Sequence, residues 1–446
     1  MIVMKFGGSS LADADRIRYM SEIVKARLDR KPVLVLSALG DTTDHLLEAG
    51  DAALKRGVVS LEKIETLHSK TIEELELDDS VLKDVRALIT EMQILLMGIS
   101  LIREMTGRTR DYLLSFGERL SVRILAAHFM KQGINAEALD AWDAGFITNS
   151  TFMSAELIEE SWELIPSKLL PLVDENILPI VTGFIAKDER GNITTMGRGG
   201  SDLTATMIGA SCRAEEIQVW KDVDGILTAD PRVVENARPV KTITYEAASE
   251  LAYYGAQVLH PRTMQPCIKT GTPVLVKNSY NPDALGTRIT LHPEGEISPI
   301  QAISFRKNIT VMDIVSSHML GQYGFLDEVF TLFAKHCVSV DMMATSEVSV
   351  SLSVDSVHDL NALIKDLSRI ASVEIHSGKA IVTIIGDVQH ASAILARAFK
   401  ICELLNVHVE MVSQGASKVN ISFVVDDRDA AEVVKGLHND FFGANS

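Results

Sequence analysis

The sequence predicts an α/β protein in which a mostly parallel sheet lies between helices, followed by two smaller modules of βαββαβ order. Three observations lead to this fold class. Short apolar runs alternate with amphipathic runs from Met1 to about His292, and the pattern changes after Pro293. Beyond that proline, one order of predicted elements occurs twice, at a period of about seventy residues. We therefore place a first domain at 1–292 and two repeats at 297–376 and 377–446, and leave open that the leading strand of the first repeat belongs to the second.

Length, composition and charge limit the classes of protein to which the chain can belong. With 446 residues it is too long for one typical domain, and its 46% apolar and 23% charged residues are those of an ordinary globular protein. A formal net charge of −17 argues against nucleic acid or an anionic membrane surface as the main partner. The four cysteines are far apart in the chain, which indicates reduced thiols rather than disulfides or a metal site.

Two features of the sequence bear on location. The chain enters its first predicted strand at once, so we expect no secretory signal. The most apolar helix, around Ile94–Ile102, is flanked by charged residues and is expected to be too short to span a bilayer. We therefore expect a soluble, cytoplasmic protein.

Six short apolar runs of the first domain have the length and composition of buried strands. They are Ile2–Met4, Val33–Ser37, Ile134–Ala138, Leu178–Thr182, Ile217–Trp220 and Val274–Lys277, with amphipathic helices such as Ala14–Leu28 and Leu120–Met130 between them. A further helical stretch, at about 42–105, separates the second and third strands, and its function is not evident from the pattern. In a parallel sheet of this kind, ligands gather at the carboxyl ends of the strands.

Two glycine-rich segments stand out in this domain. Lys5-Phe6-Gly7-Gly8-Ser9-Ser10 follows the first strand, and Gly197-Arg198-Gly199-Gly200-Ser201-Asp202 precedes a predicted helix that runs from Asp202 to Cys212. Glycines let the backbone approach a ligand closely, and the unpaired N–H groups at a helix N-terminus favour an anion. One such segment alone is also typical of a hairpin turn. Two of them, bearing Lys5 and Arg198, predict a site where two anions are brought together.

Each repeat after Pro293 has the element order of the ferredoxin-like fold. The predicted strands of the first repeat are Ile309–Ile314, Val338–Met342, Glu347–Val354 and Ser372–His376, and its helices are at Gly324–Lys335 and near Asp359–Arg369. The predicted strands of the second repeat are Ala380–Ile385, Val407–Met411 and Lys418–Val425, and its helices are at Ala391–Leu405 and Ala430–Leu437. The strands carry no basic or aromatic clusters, which argues against RNA binding and favours small ligands or subunit contacts. Because small half-open sheets commonly bury an edge against a partner, we expect a homodimer or homotetramer formed through these modules.

Several motifs together resemble those of the aspartate kinase family. They are Lys5–Ser10, Ser115-Phe116-Gly117-Glu118, Met196–Asp202, Trp220-Lys221-Asp222-Val223-Asp224-Gly225, Asp230-Pro231-Arg232 and Val258-Leu259-His260-Pro261, in order along the chain. The repeated module resembles the tandem ACT domains of monofunctional members, in particular of the lysine-sensitive class. The resemblance implies a three-layer sandwich of the amino-acid-kinase type, followed by two ACT domains. The sequence has neither a Walker A motif nor a His-Arg-Asp kinase motif that would favour another phosphoryl-transfer fold.

The implied reaction transfers the γ-phosphoryl group of ATP to the side-chain carboxylate of L-aspartate. The product would be 4-phospho-L-aspartate, the first intermediate of lysine, threonine and methionine biosynthesis. The nucleophile is already ionised at neutral pH, so catalysis must come from positioning and positive charge and needs no general base. Lys5 is expected to contact the transferring group, and Asp202 to hold Lys5 and the loop N–H donors in place. From the pattern alone, Lys5 also fits a solvated lysine at a strand end, and Asp202 a helix N-cap.

The resemblance implies a second group of residues that contact aspartate. Arg198 suits a substrate carboxylate because its guanidinium fork matches one, and Glu118 would face the substrate ammonium. The further substrate contacts are Ser37, Thr43, Gly199, Gly200 and Ser201. Ser115 and Glu118 also fit a helix capping box, and Asp41 departs from the smaller, less acidic stretch that is usual in the family at this point.

The implied nucleotide contacts come from both ends of the first domain. They are Lys5, Gly7, Gly8, Ser9, Lys221, Asp222, Leu227, Arg232, Gln257 and Val258. Three of them depart from the family, which commonly has a hydroxyl residue at Lys221, tyrosine at Leu227 and lysine at Gln257. The dipeptides Asp224-Gly225 and Asp230-Pro231 also fit plain turns. Mg²⁺ is expected to arrive with ATP, because the sequence has no carboxylate cluster at ligand spacing that would predict a metal site of its own.

The first repeat is expected to bind an amino-acid effector. The implied contacts are Met319, Gly324, Phe325, Leu326, Ser339, Val340, Asp341, Thr345 and Glu347. The helix after Gly324 offers its N-terminus to a carboxylate, and the two acids suit a ligand with a second, distant ammonium. The resemblance thus implies feedback inhibition by L-lysine. Without the resemblance, Asp341 and Glu347 also fit ordinary charges at strand ends.

Three other functions fit parts of the sequence less well. A different amino-acid kinase, such as a glutamate kinase, is disfavoured by the Ser-Phe-Gly-Glu run and by the doubled C-terminal module. A catalytically idle amino-acid sensor would have no need of Lys5, Arg198 and Asp202. A nicotinamide-dependent dehydrogenase would need a Gly-x-Gly-x-x-Gly loop with an acid at a set distance, which neither glycine-rich segment provides.

Overall fold

The computed structural model describes residues 1–254, 259–292, 299–316, 323–355, 360–386, 391–414 and 419–443. The chain forms two compact units. Unit 1 comprises 1–226, 241–245 and 258–293, and unit 2 comprises 227–240, 246–257 and 294–446. Segments 227–240 and 246–257 precede the boundary predicted near residue 292 and yet belong to unit 2. The three domain ranges given above remain predictions.

Unit 1 contains eleven of the described strands and most of the helices. The strands are β1 (Ile2–Phe6), β2 (Pro32–Leu36), β3 (Ala136–Leu139), β4 (Ile147–Thr148), β5 (Leu178–Thr182), β6 (Ile185–Asp188), β7 (Ile193–Thr195), β8 (Ile217–Lys221), β9 (Thr242–Thr244), β10 (Val274–Asn278) and β11 (Thr287–Thr290). The helices are α1 (Ala14–Lys25), α2 (Thr42–Arg56), α3 (Glu62–Glu74), α4 (Asp79–Ile102), α5 (Gly107–Lys131), α6 (Ser161–Asp174), α7 (Gly200–Ser211), α8 (Tyr245–Tyr253), which lies mostly in unit 2, and α9 (Pro261–Thr270). Short 3₁₀ turns occupy Gly8–Leu11 and Leu28–Arg30.

The main sheet of unit 1 has eight strands in the order β3-β5-β2-β1-β8-β10-β11-β9. All neighbours are parallel except β10 and β11, which confirms the mostly parallel sheet that the sequence predicts. Every residue of β1, β2 and β5 is buried, which is why these strands are apolar without alternation. The register aligns Phe6 with Leu36 on one side and with Trp220 on the other, so β1, β2 and β8 end at the same edge.

A second, three-stranded sheet of unit 1 is absent from the sequence prediction. Its order is β4-β6-β7, and β7 ends at Thr195, two residues before Gly197. These strands have only two to four residues, which is too short for a periodic pattern to reveal them.

The helical stretch at 42–105 forms α2, α3 and α4. Helix α4 has 24 residues and begins at Asp79, so the expectation that its apolar part is too short for a membrane is wrong; within the described residues, it alone is long and apolar enough to cross one by length and composition. Core helices of ordinary globular domains meet the same criterion, so this is weak evidence for a membrane segment. One stripe of the helix is buried in the core of unit 1, and its members are Val85, Leu88, Met92, Leu96 and Ile99.

Unit 2 is built on one antiparallel sheet of six strands, in the order β13-β14-β12-β15-β17-β16. Its elements are β12 (Ile300–Val315), α10 (Phe325–Lys335), β13 (Val340–Thr345), β14 (Ser349–Asp355), α11 (Asn361–Leu367), β15 (Ser372–Gly386), α12 (Ala391–Leu404), β16 (Met411–Ser413), β17 (Asn420–Asp426) and α13 (Asp427–Phe442). The strands predicted at Ser372–His376 and Ala380–Ile385 are one continuous strand, β15. Because β12 and β15 are long, their paired lengths run through both repeats and join the two modules into a single sheet.

Candidate active site

The carboxyl ends of β1 and β8 bring two lysines to one carboxylate. The Lys5 Nζ lies 2.7 Å from Oδ1 of Asp202, and the Lys221 Nζ lies 3.9 Å from Oδ2 of the same side chain. The side chains of Lys5 and Asp202 are each only 10% exposed, so the pair is shielded from water. Burial raises the pKa of the Asp202 carboxyl, but the two ammonium groups more than offset this and hold it below its ordinary value. Burial also lowers the pKa of Lys221, against the effect of Asp202.

Helix α7 begins at Gly200, two residues earlier than predicted, and this excludes one of the two roles predicted for Asp202. The N-cap position is taken by Gly199, whose φ of 77° lies in the left-handed region that favours glycine. Asp202 therefore lies in the first turn and is not the cap, so the N-cap alternative is wrong. A Cβ on Gly199 would come within 2.9 Å of Thr263 Cγ2, which means that glycine is needed here for space as well.

The first glycine-rich segment packs against the loop that follows β2. A Cβ on Gly8 would lie 2.8 Å from the carbonyl oxygen of Gly40, and the Gly40 N–H donates to the Gly8 carbonyl at 3.3 Å. Gly7 lies beside the Lys5 ammonium, because a Cβ on it would be 3.7 Å from Nζ. Lys5 itself lies within β1, which extends two residues beyond the predicted strand, and Ser9 is exposed.

Glu118 is buried in the middle of α5, at 3% exposure. The helix begins at Gly107 with Thr106 as its cap, so the alternative of a capping box at Ser115 and Glu118 is wrong. The Glu118 Oε1 accepts a hydrogen bond from the Ala38 N–H at 3.3 Å, while its buried Oε2 has no hydrogen-bond partner in the described part of the chain. Burial raises the pKa of this carboxyl to about 8, against the opposing effects of the Ala38 N–H and the Lys5 charge.

The remaining predicted substrate contacts differ in their exposure and in their partners. Ser37 donates to the Ser201 Oγ at 3.1 Å, which joins the loop after β2 to the first turn of α7. Thr43 is half-buried in the first turn of α2. Arg198 is exposed. The pKa of His260 is lowered mainly by the burial of His260, and the charge of Arg198 is the second largest cause.

The predicted nucleotide contacts are divided between the two units. Lys221 and Asp222 belong to unit 1, whereas Leu227 and Arg232 belong to unit 2. The exposed Arg232 pairs with Asp230 at 2.7 Å. Gln257 and Val258 lie outside the described residues.

In unit 2, the predicted effector residues lie around α10 and β13, except Met319, which lies outside the described residues. Gly324 is the N-cap of α10, so Phe325 and Leu326 form its first turn, and β13 begins at Val340, directly after Ser339. Thr345 is the last residue of β13, and Glu347 lies in the exposed turn that follows.

Asp341 already has two polar partners in unit 2. It accepts a hydrogen bond from the Tyr253 hydroxyl at 2.6 Å and pairs with Arg306 at 3.2 Å. Arg306 also pairs with Asp355. The Asp341 side chain is only 4% exposed, and burial raises the pKa of its carboxyl although both partners oppose the shift.

Sequence reasoning missed two residues that support these sites, Asp111 and Tyr253. Asp111 lies seven residues before Glu118 on α5, a spacing that places both on one helix face, and this would have been visible had the helix been predicted from Gly107. The sequence contains no comparable signal for Tyr253, because its partner Asp341 is 88 residues away.

The chain matches the profiles of two known protein families and is similar in sequence to known proteins along most of its length. The profile of the amino acid kinase family matches residues 1–278, and an ACT domain profile matches residues 382–441. The chain is 46% identical to the chloroplastic aspartokinase 1 of Arabidopsis thaliana, over 99% of this chain and 80% of that protein.

Solved structures of E. coli aspartokinase III also match over the whole length. The complex with aspartate and ADP, described as the R-state, has a TM-score of 0.85 at 32% identity and covers 99% of this chain and 100% of that one. The complex with lysine and aspartate, described as the T-state, has a TM-score of 0.82 at 32% identity, with 99% of each chain covered. On this fold, these motifs and this full-length identity, the chain belongs to the aspartokinase family of ATP-using kinases with a carboxyl group as acceptor.

Proposed function

We propose that the chain transfers the γ-phosphoryl group of ATP to the β-carboxylate of L-aspartate and so supplies 4-phospho-L-aspartate to lysine, threonine and methionine biosynthesis. The observation that carries this proposal is the buried group of Lys5, Asp202 and Lys221 at the carboxyl ends of β1 and β8. Two anions must approach each other in this reaction, and two ammonium groups at one edge of the sheet lower the cost of that approach. In this arrangement Asp202 acts as an organiser of both lysines and removes no proton.

The proposed roles of the substrate contacts follow from charge. The Oε2 of Glu118, which has no hydrogen-bond partner among the described residues, suits the ammonium group of aspartate, and Arg198 suits its α-carboxylate. The side-chain carboxylate would then point toward Lys5. Gly7 lies beside the Lys5 ammonium and Gly8 against the loop after β2, and the proposed role of both is to let the backbone N–H groups of this segment come close to the phosphates.

We propose that Mg²⁺ arrives with ATP and is held by phosphate oxygens and water. Among the residues that the structure describes, no group of three or more His, Cys, Asp or Glu is arranged to hold an ion. Mg²⁺ commonly binds in this way, with few protein ligands, and when bound it neutralises charge on the phosphates.

We further propose that L-lysine inhibits the enzyme by binding at Asp341 and the N-terminus of α10. The lysine complex of E. coli aspartokinase III supports this assignment by family likeness. A homodimer or homotetramer formed through unit 2, and a cytoplasmic location, are the corresponding proposals for assembly and place.

Initial rates with ATP, Mg²⁺ and L-aspartate test the proposal. An acyl phosphate reacts with hydroxylamine, so a hydroxamate that forms only when both substrates are present would support it. L-glutamate serves as the control acceptor, and lysine, threonine and methionine are added separately. Equal rates with glutamate would contradict the acceptor, and unaltered rates at saturating lysine would contradict the regulation.

A further inference from the structure

Asp111 is a fully buried carboxylate near the start of α5 that the proposed reaction does not use. Its exposed fraction is 0%, and no Lys, Arg or His side chain in the described part of the chain forms an ion pair with it. A buried charge without a counter-ion is costly unless hydrogen bonds replace its water shell. Asp111 therefore depends on the donors that surround it.

Three donors converge on this carboxylate from two other parts of unit 1. The N–H groups of Met153 and Thr195 donate to Oδ2 at 2.9 and 3.0 Å, and the Thr195 hydroxyl donates to Oδ1 at 2.8 Å. The Ala155 N–H donates to the Thr195 carbonyl at 2.9 Å, which ties the same two chain segments to each other. Helix α5, the loop at 150–155 and the end of β7 thus meet at one side chain.

The groups that Asp111 holds lie next to the second glycine-rich segment. Thr195 precedes Gly197 by two residues and Arg198 by three. A Cβ on Gly197 would lie 3.2 Å from the Met153 carbonyl oxygen, so the Gly197 bend, with φ of 73°, rests on the loop that Asp111 fixes. Seven residues along α5 from Asp111 stands Glu118, buried on the same helix. One helix therefore carries Glu118 and anchors the bend that carries Arg198.

We propose that Asp111 is a positioning residue for aspartate, which sets the distance between the groups that bind its ammonium and its α-carboxylate. This inference rests on the proposed roles of Glu118 and Arg198. Loss of the three hydrogen bonds would let the Gly197–Gly200 bend shift relative to α5, and a shift of about 1 Å in a positioning element can cost a hundredfold in rate. ATP, bound through the other glycine-rich segment, would be affected much less.

The test compares Asp111→Ala, Asp111→Asn and the control Asp188→Ala by steady-state kinetics and thermal unfolding. Asp188 is a matched control, since it is the buried last residue of β6 and accepts hydrogen bonds from Arg190, Asn192 and Ser150. It touches the loop at 150–155 through Ser150, whereas the Gly197 bend rests on Met153. In Asp111→Asn, the amide oxygen can accept both N–H groups and the amide nitrogen can donate to the Thr195 hydroxyl. Thr195→Val, which removes only the hydroxyl donor, is the milder variant should Asp111→Ala fail to fold.

We expect Asp111→Ala to raise the KM for aspartate by about tenfold or more while the KM for ATP changes by less than about threefold. Asp111→Asn should restore most of the affinity, Thr195→Val should show a smaller shift of the same kind, and Asp188→Ala should lower the melting temperature without a selective effect on aspartate. Equal shifts for both substrates, or a selective aspartate effect in Asp188→Ala, would overturn the inference. A wild-type protein that does not phosphorylate aspartate would instead overturn the proposed function.

Discussion

The hydroxyl of Tyr253 donates a hydrogen bond of 2.6 Å to the carboxylate of Asp341, and both residues belong to unit 2. Tyr253 is the last residue of α8, in a segment that precedes the repeats in sequence. Asp341 is the acid proposed to bind the effector ammonium, and Arg306 is its second partner at 3.2 Å. An effector ammonium at Asp341 must therefore compete with groups that the protein itself supplies.

Removal of the Tyr253 hydroxyl should make lysine a stronger inhibitor. Tyr253→Phe deletes one of the competitors for Asp341, and a hydrogen bond to a charged group contributes about 1.5–3 kcal/mol, so we expect half-inhibition at a lysine concentration at least about fivefold lower. Inhibition curves at fixed substrate concentrations measure this. Tyr254→Phe is the matched control. The Tyr254 ring packs edge-on against the Tyr253 ring, but within the described residues the Tyr254 hydroxyl forms no hydrogen bond with Asp341. Weaker inhibition in Tyr253→Phe, or the same shift in both variants, would contradict the competition.

Substitution of Lys5 should slow phosphoryl transfer even in a variant in which residue 202 carries no negative charge. We expect Lys5→Ala to lower kcat by about a hundredfold or more, because one buried ammonium at the transferring group is lost. Asp202→Asn, combined with Lys5→Ala in a double-mutant cycle, separates two explanations. If Lys5 contacts the phosphoryl group, the loss persists in the Asp202→Asn background. Recovery of kcat in the double variant would mean that Lys5 serves only to neutralise Asp202.

The affinity for aspartate should improve as pH rises through the pKa of Glu118. That pKa is raised to about 8, so the carboxyl carries a proton below this pH in the free enzyme. Only the ionised form attracts the substrate ammonium, and the KM for aspartate should therefore rise by about tenfold for each pH unit below the pKa. Profiles of KM for both substrates against pH provide the measurement. Glu118→Gln should flatten the aspartate profile at a high KM, and an identical pH dependence in the variant would exclude Glu118 as its source.

A side chain at Gly199 should damage the site through space and not only through backbone strain. Gly199→Ala would place a Cβ 2.9 Å from Thr263 and 3.1 Å from His260, in addition to the strain of φ 77°. Gly191→Ala is the control, since its φ of 80° brings the same strain with nothing within 4 Å of the new Cβ. The strain alone costs about 1–2 kcal/mol of stability, so both variants should unfold earlier on heating. We expect only Gly199→Ala to lower kcat/KM for aspartate by about tenfold or more, and equal losses in the two variants would refute the steric argument.

The buried strands and the repeated modules could be predicted because their signal is local. Strands such as Leu178–Thr182 are continuous apolar runs, since helices cover both faces of a parallel sheet. The order of elements after Pro293 repeats, and glycine marks the bends at Gly199 and Gly324, where φ is positive. These features follow from the chain's own periodicity and from steric rules that act over a few residues.

Only the tertiary structure decided how those residues are combined. Lys5 and Lys221 are far apart in sequence and meet at Asp202 because β1 and β8 are neighbours in the sheet, an order set by long-range packing. The pKa of Glu118 is raised by burial, and that burial depends on the elements that pack against α5 and not on the neighbouring residues of the helix. The inclusion of segment 246–257 in unit 2, which brings Tyr253 to Asp341, likewise depends on contacts between distant parts of the chain. Local sequence determined the elements, whereas distances and electrostatics at the site arise only when those elements pack.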